Sequence, residues 1–388
     1  MNFKAFIAEI IVSDGRMTSG QALLVENGLV KGFCPQNDIP TAAERITLTG
    51  LTLAAGLVDA QVNGGGGVLF NDILGDDISE KGILGLAAAH RASGTTSFLP
   101  TLISDTPEKT TSAINAIRTF RQKHDGQGVL GIHLEGPFLN PERSGIHEKD
   151  IIAKADTSFL KSQNFDGLGT CLITVAPEMF AKGALSKLIE KGVILAAGHS
   201  AANKDQLAQA KSEGLTGITH LFNAMGGMSA RETGLSGAAL NDDELWCGII
   251  ADGAHVAPDM LRLADKAKPD GKLFLVSDAM PPSGQHPQQP FILQGKRITA
   301  KDGKCVDEHG HLAGSCFTLF ECMRYAVQQA GFKLEHAHAM ASLYPAQFLK
   351  QDKLVGSLRP GHRADMIAFD DGMGLKRVFI GGNAALSL

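Results

Sequence analysis

Three features that the sequence lacks exclude several classes of protein. No run of about 18 apolar residues occurs, so no transmembrane helix is expected. The six cysteines are scattered without C-x-x-C spacing, which argues against a zinc ribbon or a disulfide framework. The first residues carry no small-residue cleavage site of the kind that ends a signal peptide. We therefore expect a cytoplasmic protein with reduced thiols.

The sequence also lacks an excess of basic charge. It has 36 Lys and Arg against 41 Asp and Glu, a formal net charge of −5. Such a surface does not attract nucleic acid or an anionic membrane, and neither partner is expected. A phosphorylated ligand would have to be held by a local pocket.

The order of apolar runs predicts a (β/α)8 barrel. Between residues 56 and 278, short apolar runs alternate with segments of helical periodicity such as Ser79–Ala92, Pro107–Lys123 and Asn203–Glu213. This order is typical of a TIM-type barrel within the α/β class, although the pattern alone leaves a doubly wound open sheet possible. The predicted strands are Leu57–Asn63, Thr96–Thr101, Val129–Glu135, Cys171–Ala176, Val193–His199, Gly217–Phe222, Trp246–Asp252 and Leu273–Asp278.

Strand-like sequence at both ends of the chain predicts a second, smaller unit. Asn27-Gly28 between two apolar runs indicates a hairpin with a type I′ turn, and Gly356–Asp370 is again β-like. We predict a small β-sandwich domain from residues 1–54 and 355–388, and the hydrolase barrel from residues 55–354. The stretch 281–315 is expected to be irregular, with two helices near 316–330 and 335–350.

Polar residues at the carboxyl ends of the predicted strands indicate a metal site. Glu135, His199 and His220 end the third, fifth and sixth strands, and these ends converge at the mouth of a barrel. Each residue alone has an ordinary explanation, such as packing or an ion pair. Together they form a set of one carboxylate and two imidazoles, which suits a catalytic divalent ion with a position left for water.

Asp278 ends the eighth predicted strand and is the expected general base. The alternative is that it caps the helix after that strand, but Pro281-Pro282 follows directly and weakens this interpretation.

Several motifs carry a resemblance to a known family. They are Gly56-Leu-Val-Asp-Ala-Gln-Val-Asn-Gly64, His133-Leu-Glu-Gly-Pro-Phe138, Gly198-His-Ser200, Thr219-His-Leu-Phe-Asn-Ala-Met225, Asp252-Gly-Ala-His-Val256, Ser277-Asp-Ala-Met280 and the tail around Pro360-Gly361. In this order they resemble the N-acetylglucosamine-6-phosphate deacetylases of the amidohydrolase superfamily. The resemblance covers essentially the whole chain.

The resemblance implies a role for each matching residue. Glu135, His199 and His220 would hold the metal, Asp278 would act as general base and then general acid, and His147 would polarise the acetyl carbonyl. Arg231 would reach the phosphate site of the other subunit of a homodimer. The substrate-binding set that it implies is Gln61, Asn63, Ile146, His147, Asn223, Ala224, Arg231, His255, Leu312, Ala313 and Gly314.

The resemblance also implies one divalent ion per subunit. Most amidohydrolases carry His-x-His at the end of the first strand, whereas this chain has Gln61-x-Asn63, and amides bind a second ion less well. Zinc is the first expectation, while Fe, Co or Mn would also accept these ligands. The expected product is glucosamine 6-phosphate with acetate. The galactosamine epimer, another single-metal deacylase acting on D-amino acids, and an inactive sugar-phosphate sensor remain open as alternatives.

Overall fold

The computed structural model describes residues 3–74, 79–124, 127–154, 156–285, 288–301 and 303–387. Its strands are β1 Phe3–Ser13, β2 Arg16–Ser19, β3 Gln21–Glu26, β4 Leu29–Pro35, β5 Glu44–Ala55, β6 Leu57–Val62, β7 Gly64–Gly65, β8 Val68–Leu69, β9 Thr95–Ile103, β10 Gly131–Glu135, β11 Thr170–Val175, β12 Ile194–Ala197, β13 Gly217–Ile218, β14 Trp246–Ile249, β15 Leu273–Leu275, β16 Phe291–Leu293, β17 Lys296–Lys301, β18 Lys304–Val306, β19 Leu312–Ser315, β20 Met366–Phe369, β21 Leu375–Ile380 and β22 Asn383–Ser387.

The helices alternate with the strands through the middle of the chain. They are α1 Ser79–Ala92, α2 Pro107–Lys123, α3 Lys149–Ala153, α4 Thr157–Ser162, α5 Ser186–Ile189, α6 Lys204–Ser212, α7 Gly234–Leu240, α8 Pro258–Ala267, α9 Leu319–Gln328, α10 Leu334–Ala341 and α11 Leu343–Phe348, with 3₁₀ turns at Gln36–Asp38, Phe70–Ile73, Pro141–Arg143 and Pro177–Met179. No helix in these ranges is both long enough and apolar enough to cross a bilayer.

Eight parallel strands form a nearly closed barrel, as predicted. In the described part of the chain they follow in the order β6, β9, β10, β11, β12, β13, β14 and β15, each paired with the next. A parallel bridge between Val62 and Ala279 joins the end of the last strand to the first. This closure rules out the open sheet, and it brings the carboxyl ends of all eight strands to one mouth.

The terminal strands form one connected sheet of mainly antiparallel pairs, in the order β22, β21, β20, β5, β1, β3 and β4 with β2 beside β1. The predicted turn at Asn27-Gly28 is confirmed, because φ is +53° and +84° at these residues. Residues 1–2 and 388 of the predicted sandwich domain lie outside the described residues. The division of the chain at 54/55 and 354/355 stays a prediction.

A single residue, Gly56, separates β5 of the terminal sheet from β6 of the barrel. A Cβ atom at this position would overlap the side chain of Thr96 on β9. The Gly56 amide donates to the carbonyl oxygen of Asp365 at 2.8 Å, which ties the junction to the returning end of the chain. Glycine therefore permits close packing of β6 on β9.

The stretch 281–315, predicted to be irregular, instead contains a four-stranded antiparallel sheet of β16, β17, β18 and β19. We call it the inserted sheet. Its last residue, Ser315, bridges to Ala279 in parallel, and the Ser315 amide donates to the Asp278 carbonyl at 2.9 Å. The strands escape prediction because they are short and charged: β17 reads KRITAK and exposes four of its six residues. The helix expected at 335–350 is also divided in two, at Ser342, where ψ is −76°.

Candidate metal centre and active site

Three predicted ligands meet at the barrel mouth. Glu135 is the last residue of β10, and His199 and His220 each lie two residues beyond β12 and β13. His220 Nε2 lies 3.0 Å from both Glu135 Oε1 and His199 Nε2, and His199 Nε2 lies 3.4 Å from Glu135 Oε1. All three side chains are buried. These residues form a group whose ligand atoms lie close enough together to hold one metal ion.

The backbone is left-handed at two of the ligands and at the expected base. φ is +47° at His199, +31° at His220 and +51° at Asp278. For a residue other than glycine this conformation costs about 1–3 kcal/mol and persists only where the surrounding structure enforces it. Here the Asn140 amide donates to the His199 carbonyl at 2.9 Å, and the Asp278 amide to the Gln61 carbonyl at 3.1 Å. With this backbone conformation, just beyond the strand ends, all three side chains face the mouth.

The chemistry of the donor atoms fits a divalent cation. His199 Nδ1 lies 2.9 Å from the Arg143 carbonyl oxygen, which can only accept, so Nδ1 carries the proton and Nε2 keeps its lone pair. Burial raises the pKa of Glu135, but the adjacent side chains of His199 and His220 outweigh burial and hold the pKa well below its ordinary value. An ionised carboxylate and two imidazole nitrogens thus face one point.

Asp278 lies beside this group and is held by two amides. Gln61 Nε2 donates to Asp278 Oδ1 at 2.9 Å, and Asn63 Nδ2 donates to the same oxygen at 2.6 Å. Gln61 Nε2 also donates to Glu135 Oε1 at 2.9 Å. Burial first, and then the charge of Glu135, raise the pKa of Asp278 to about 6. The carboxylate is therefore poised to exchange a proton near neutral pH.

His147 faces the same group from the loop after β10. Its Nε2 lies 3.8 Å from Glu135 Oε2, and its ring lies 4.5 Å from the ring of His199. Burial first, and then the charge of His199, lower the pKa of His147 to about 3. His147 is therefore a neutral imidazole that can donate a hydrogen bond.

A cavity of about 1070 Å³ opens onto the three ligands, and most of the predicted substrate residues line it. Arg231 is exposed and lies outside this lining, Ala313 is fully buried, and Gln61 is buried beneath Asp278. The predicted residues on the cavity wall are Asn63, Ile146, His147, Asn223, Ala224, His255, Leu312 and Gly314.

Comparison with known proteins identifies the family. Residues 52–385 match the amidohydrolase family. The chain belongs to the amidohydrolase family. It is 34% identical over 381 residues to an N-acetylgalactosamine-6-phosphate deacetylase of Shewanella sp. strain ANA-3, covering 96% of this chain and 93% of that one. It is 34% identical over 350 residues to the N-acetylglucosamine-6-phosphate deacetylase of Haemophilus influenzae, covering 90% of each.

A solved amidohydrolase structure has the same fold over its whole length. The N-acetylglucosamine-6-phosphate deacetylase of Pasteurella multocida superposes with a TM-score of 0.92 at 34% identity, covering 99% of this chain and 100% of that chain. The family resemblance seen in the sequence is confirmed.

Sequence reasoning missed a buried carboxylate that holds a cavity residue of this amidohydrolase. Asp252 Oδ2 lies 2.7 Å from His255 Nδ1 and accepts from Ser315 Oγ at 2.8 Å. Asp252 Oδ1 accepts the amides of Ala254 and His255 at 2.9 and 2.8 Å. Asp252 thus fixes His255 and attaches the inserted sheet to the barrel. The spacing Asp-x-x-His, within the motif already noted, could have revealed it.

A second missed carboxylate lies inside the amidohydrolase barrel. Asp59 on β6 is fully buried and accepts the side-chain hydroxyl of Ser277 and, at 3.2 Å each, the amides of Gln61 and Ser277. Burial raises the pKa of Asp59 to about 7. By accepting these hydrogen bonds from Gln61 and Ser277, Asp59 fixes the positions of the two strand ends that carry Gln61 and Asp278. A charged residue within an apolar strand was the available signal.

Proposed function

We propose that this amidohydrolase hydrolyses the N-acetyl group of N-acetylglucosamine 6-phosphate, releasing glucosamine 6-phosphate and acetate. The observation that carries the proposal is the arrangement of Asp278 and His147 around Glu135, His199 and His220 at the floor of one cavity. Relatives that share about a third of the sequence are named for deacetylation of two such amino-sugar phosphates.

Glu135, His199 and His220 would hold one divalent ion, and zinc is the ion that we propose. When bound there, a divalent ion supplies Lewis acidity, which lowers the pKa of water towards about 7 and polarises a carbonyl. Gln61 and Asn63 direct their amide hydrogens at Asp278. Neutral amides bind a divalent ion less well than the imidazoles found here in most amidohydrolases, so we propose no second ion.

The protein's own groups would move the proton. Asp278 accepts a proton from the water that attacks the acetyl carbon, since its carboxylate is held at the cavity floor by two amides. His147, neutral and buried, donates a hydrogen bond to the carbonyl oxygen as negative charge develops there. Asp278 then returns the proton to the sugar nitrogen, which leaves as an amine.

The rest of the cavity would hold the phosphorylated sugar. Leu312 and Gly314 of β19 line one wall, and Asn223, Ala224 and His255 line another. In our proposal Asn223, Ala224 and His255 bind the sugar phosphate, and Arg231 of a second subunit completes these contacts. Arg231 is exposed and does not line the cavity of its own barrel. Its guanidinium fork can bind phosphate through two parallel hydrogen bonds.

The galactosamine epimer is the second candidate substrate. A relative that aligns with 96% of this chain is named N-acetylgalactosamine-6-phosphate deacetylase. The two substrates differ only in the orientation of one hydroxyl group. We further propose that the protein works in the cytoplasm, where its six free cysteines would remain reduced.

Acetate release from both epimers by the zinc-loaded protein tests the proposal. We expect turnover of the glucosamine substrate and its loss in Asp278→Asn. Higher kcat/KM for the galactosamine epimer would select the second candidate. Tight binding of either sugar without any acetate release would instead indicate a sensor and contradict the proposed reaction.

A further inference from the structure

Gln294 is one of the side chains through which the inserted sheet touches the loop of His147. Gln294 and Gly295 form the turn between β16 and β17, and φ is +48° and +80° at these two residues. Gln294 Nε2 donates to the carbonyl oxygen of Ser104 at 2.6 Å. Gln294 Oε1 accepts the amide of Glu148, the residue after His147, at 3.0 Å. One amide group therefore joins two loops of the barrel mouth.

Ser104, one of these two partners, is in direct contact with the ring of His147. Its Oγ lies 2.7 Å from His147 Nδ1, and its backbone amide donates to the same nitrogen at 3.4 Å. A backbone amide can only donate, so His147 Nδ1 is an acceptor and Nε2 carries the ring proton. That proton lies on the side of the ring that faces Glu135.

The turn itself does not require glutamine. A two-residue turn with positive φ at both positions favours Asn or Gly at the first, and a longer side chain in this conformation is strained. Gln294 is half-buried, and both hydrogen-bonding atoms of its side chain are used. The length of its side chain, rather than the turn, accounts for glutamine at this position.

We propose that Gln294 is a positioning residue for the reaction. By bridging Ser104 and Glu148 it holds His147 with its Nε2–H aimed into the cavity, so the inserted sheet sets the orientation of the group that would polarise the acetyl carbonyl. This inference rests on the deacetylation proposed above. Neither the motifs nor the apolar pattern of the sequence indicated it.

Two substitutions of Gln294 alter its hydrogen bonds to Ser104 and Glu148 in different ways. Gln294→Asn keeps a residue suited to the turn, but its amide is one methylene too short to reach both partners. Gln294→Glu keeps the length and the acceptor for Glu148, but places an oxygen against the Ser104 carbonyl. Each should lower kcat about 10- to 100-fold, since a misplaced catalytic group costs rate, with KM changed less than about twofold.

Two controls distinguish positioning from a general structural role. Ile292→Thr alters a side chain that is 56% exposed in the same hairpin and should leave kcat unchanged. In a His147→Asn background, Gln294→Asn should cause no further loss, because residues that act through one group are not additive. A second equal loss in that background, or a kcat within twofold of wild type for Gln294→Asn alone, would overturn the inference.

A readout without turnover separates this inference from the proposed function. Long-range ¹H–¹⁵N spectra of the metal-free protein, with His147 assigned through His147→Asn, should show the Nε2–H tautomer in the wild type. Gln294→Asn should give averaged ring signals. An unchanged His147 spectrum would overturn the inference even in active enzyme, whereas a wild type that releases no acetate would overturn the proposed function instead.

Discussion

At the residue scale, Asp278 is the group whose proposed role can be isolated most sharply. Asp278→Asn retains the size of the side chain but removes the proton acceptor. We expect kcat to fall by roughly 10²–10⁴. The bound metal should remain near one ion per chain, because Asp278 lies outside the three ligands. Steady-state kinetics and elemental analysis of the same preparation measure the two quantities. Near-normal turnover would remove Asp278 from the mechanism.

The metal ligands give a different expected signature. His199→Ala or His220→Ala should lose both the ion and the activity, because two remaining ligands bind a divalent ion poorly. His124→Ala is a suitable control, since this histidine pairs with Glu80 away from the mouth. Two tightly bound ions per chain in freshly purified protein would contradict the single-ion proposal.

Residues at strand ends could be predicted because position alone reveals them. Glu135, His199 and His220 each follow an apolar run, and a barrel gathers such positions at one mouth. Ser104 and Gln294 could not be found in this way. Each acts through a partner distant in sequence, and the contact between Gln294 and Ser104 exists only once the inserted sheet lies over the mouth.

At the element scale, Asp252 connects β14, His255 and the inserted sheet. Asp252→Asn should keep the backbone hydrogen bonds to Oδ1. An NH2 group would replace Oδ2, the atom that now faces both His255 Nδ1 and Ser315 Oγ. We expect KM for the phosphorylated sugar to rise about tenfold, since one misaligned hydrogen bond to a charged group costs about 1.5 kcal/mol. Kinetics with and without the 6-phosphate would show whether the loss depends on phosphate. An equal loss for both substrates would contradict a role for His255 at the phosphate.

Asp59 joins β6 to the end of β15. In Asp59→Leu, the amides of Gln61 and Ser277 would remain buried without their acceptor. Each unsatisfied donor costs about 1–3 kcal/mol, so unfolding free energy should fall by about 2–6 kcal/mol. Asp59→Asn retains an acceptor and should cost less. Denaturant unfolding of the metal-free protein measures both, and equal stability of Leu and Asn variants would contradict this account.

Elements with strong periodicity were predictable, whereas the inserted sheet was not. Helices α1 and α2 begin and end at the predicted residues, and α6 follows the predicted cap at Asn203. The three-residue strands β16 and β18 are too short for a pattern of period two to stand out from a loop.

At the scale of the whole molecule, the proposed homodimer predicts complementation between two inactive variants. Arg231→Ala chains lack the arginine that we propose for the partner's phosphate, and Asp278→Asn chains lack the base. After subunit exchange, half of the dimers are mixed and each mixed dimer has one intact site. About a quarter of wild-type activity should therefore return. If Arg231 serves its own barrel, every site in the mixture stays defective and no activity returns.

The barrel was predictable at this scale because eight apolar runs alternated with helices. What the runs did not reveal was the closure, which depends on the bridge between Val62 and Ala279. That bridge lies one residue from Asn63 and one from Asp278, so the step that closes the fold also brings the first and last strands together at the site.

The junction at Gly56 has a consequence for anyone who wishes to divide this protein. Because β6 begins one residue after β5 ends, the junction at Gly56 offers no linker at which a protease or an expression boundary could separate these two strands. A chain that started at Leu57 would have a free, charged amino group beside Thr96, where Gly56 now donates to Asp365. β6 carries Gln61 and is followed directly by Asn63, and the side-chain amides of both donate to Asp278. Removal of the terminal sheet should therefore release the first barrel strand and abolish the site, even though no residue of that sheet lines the cavity.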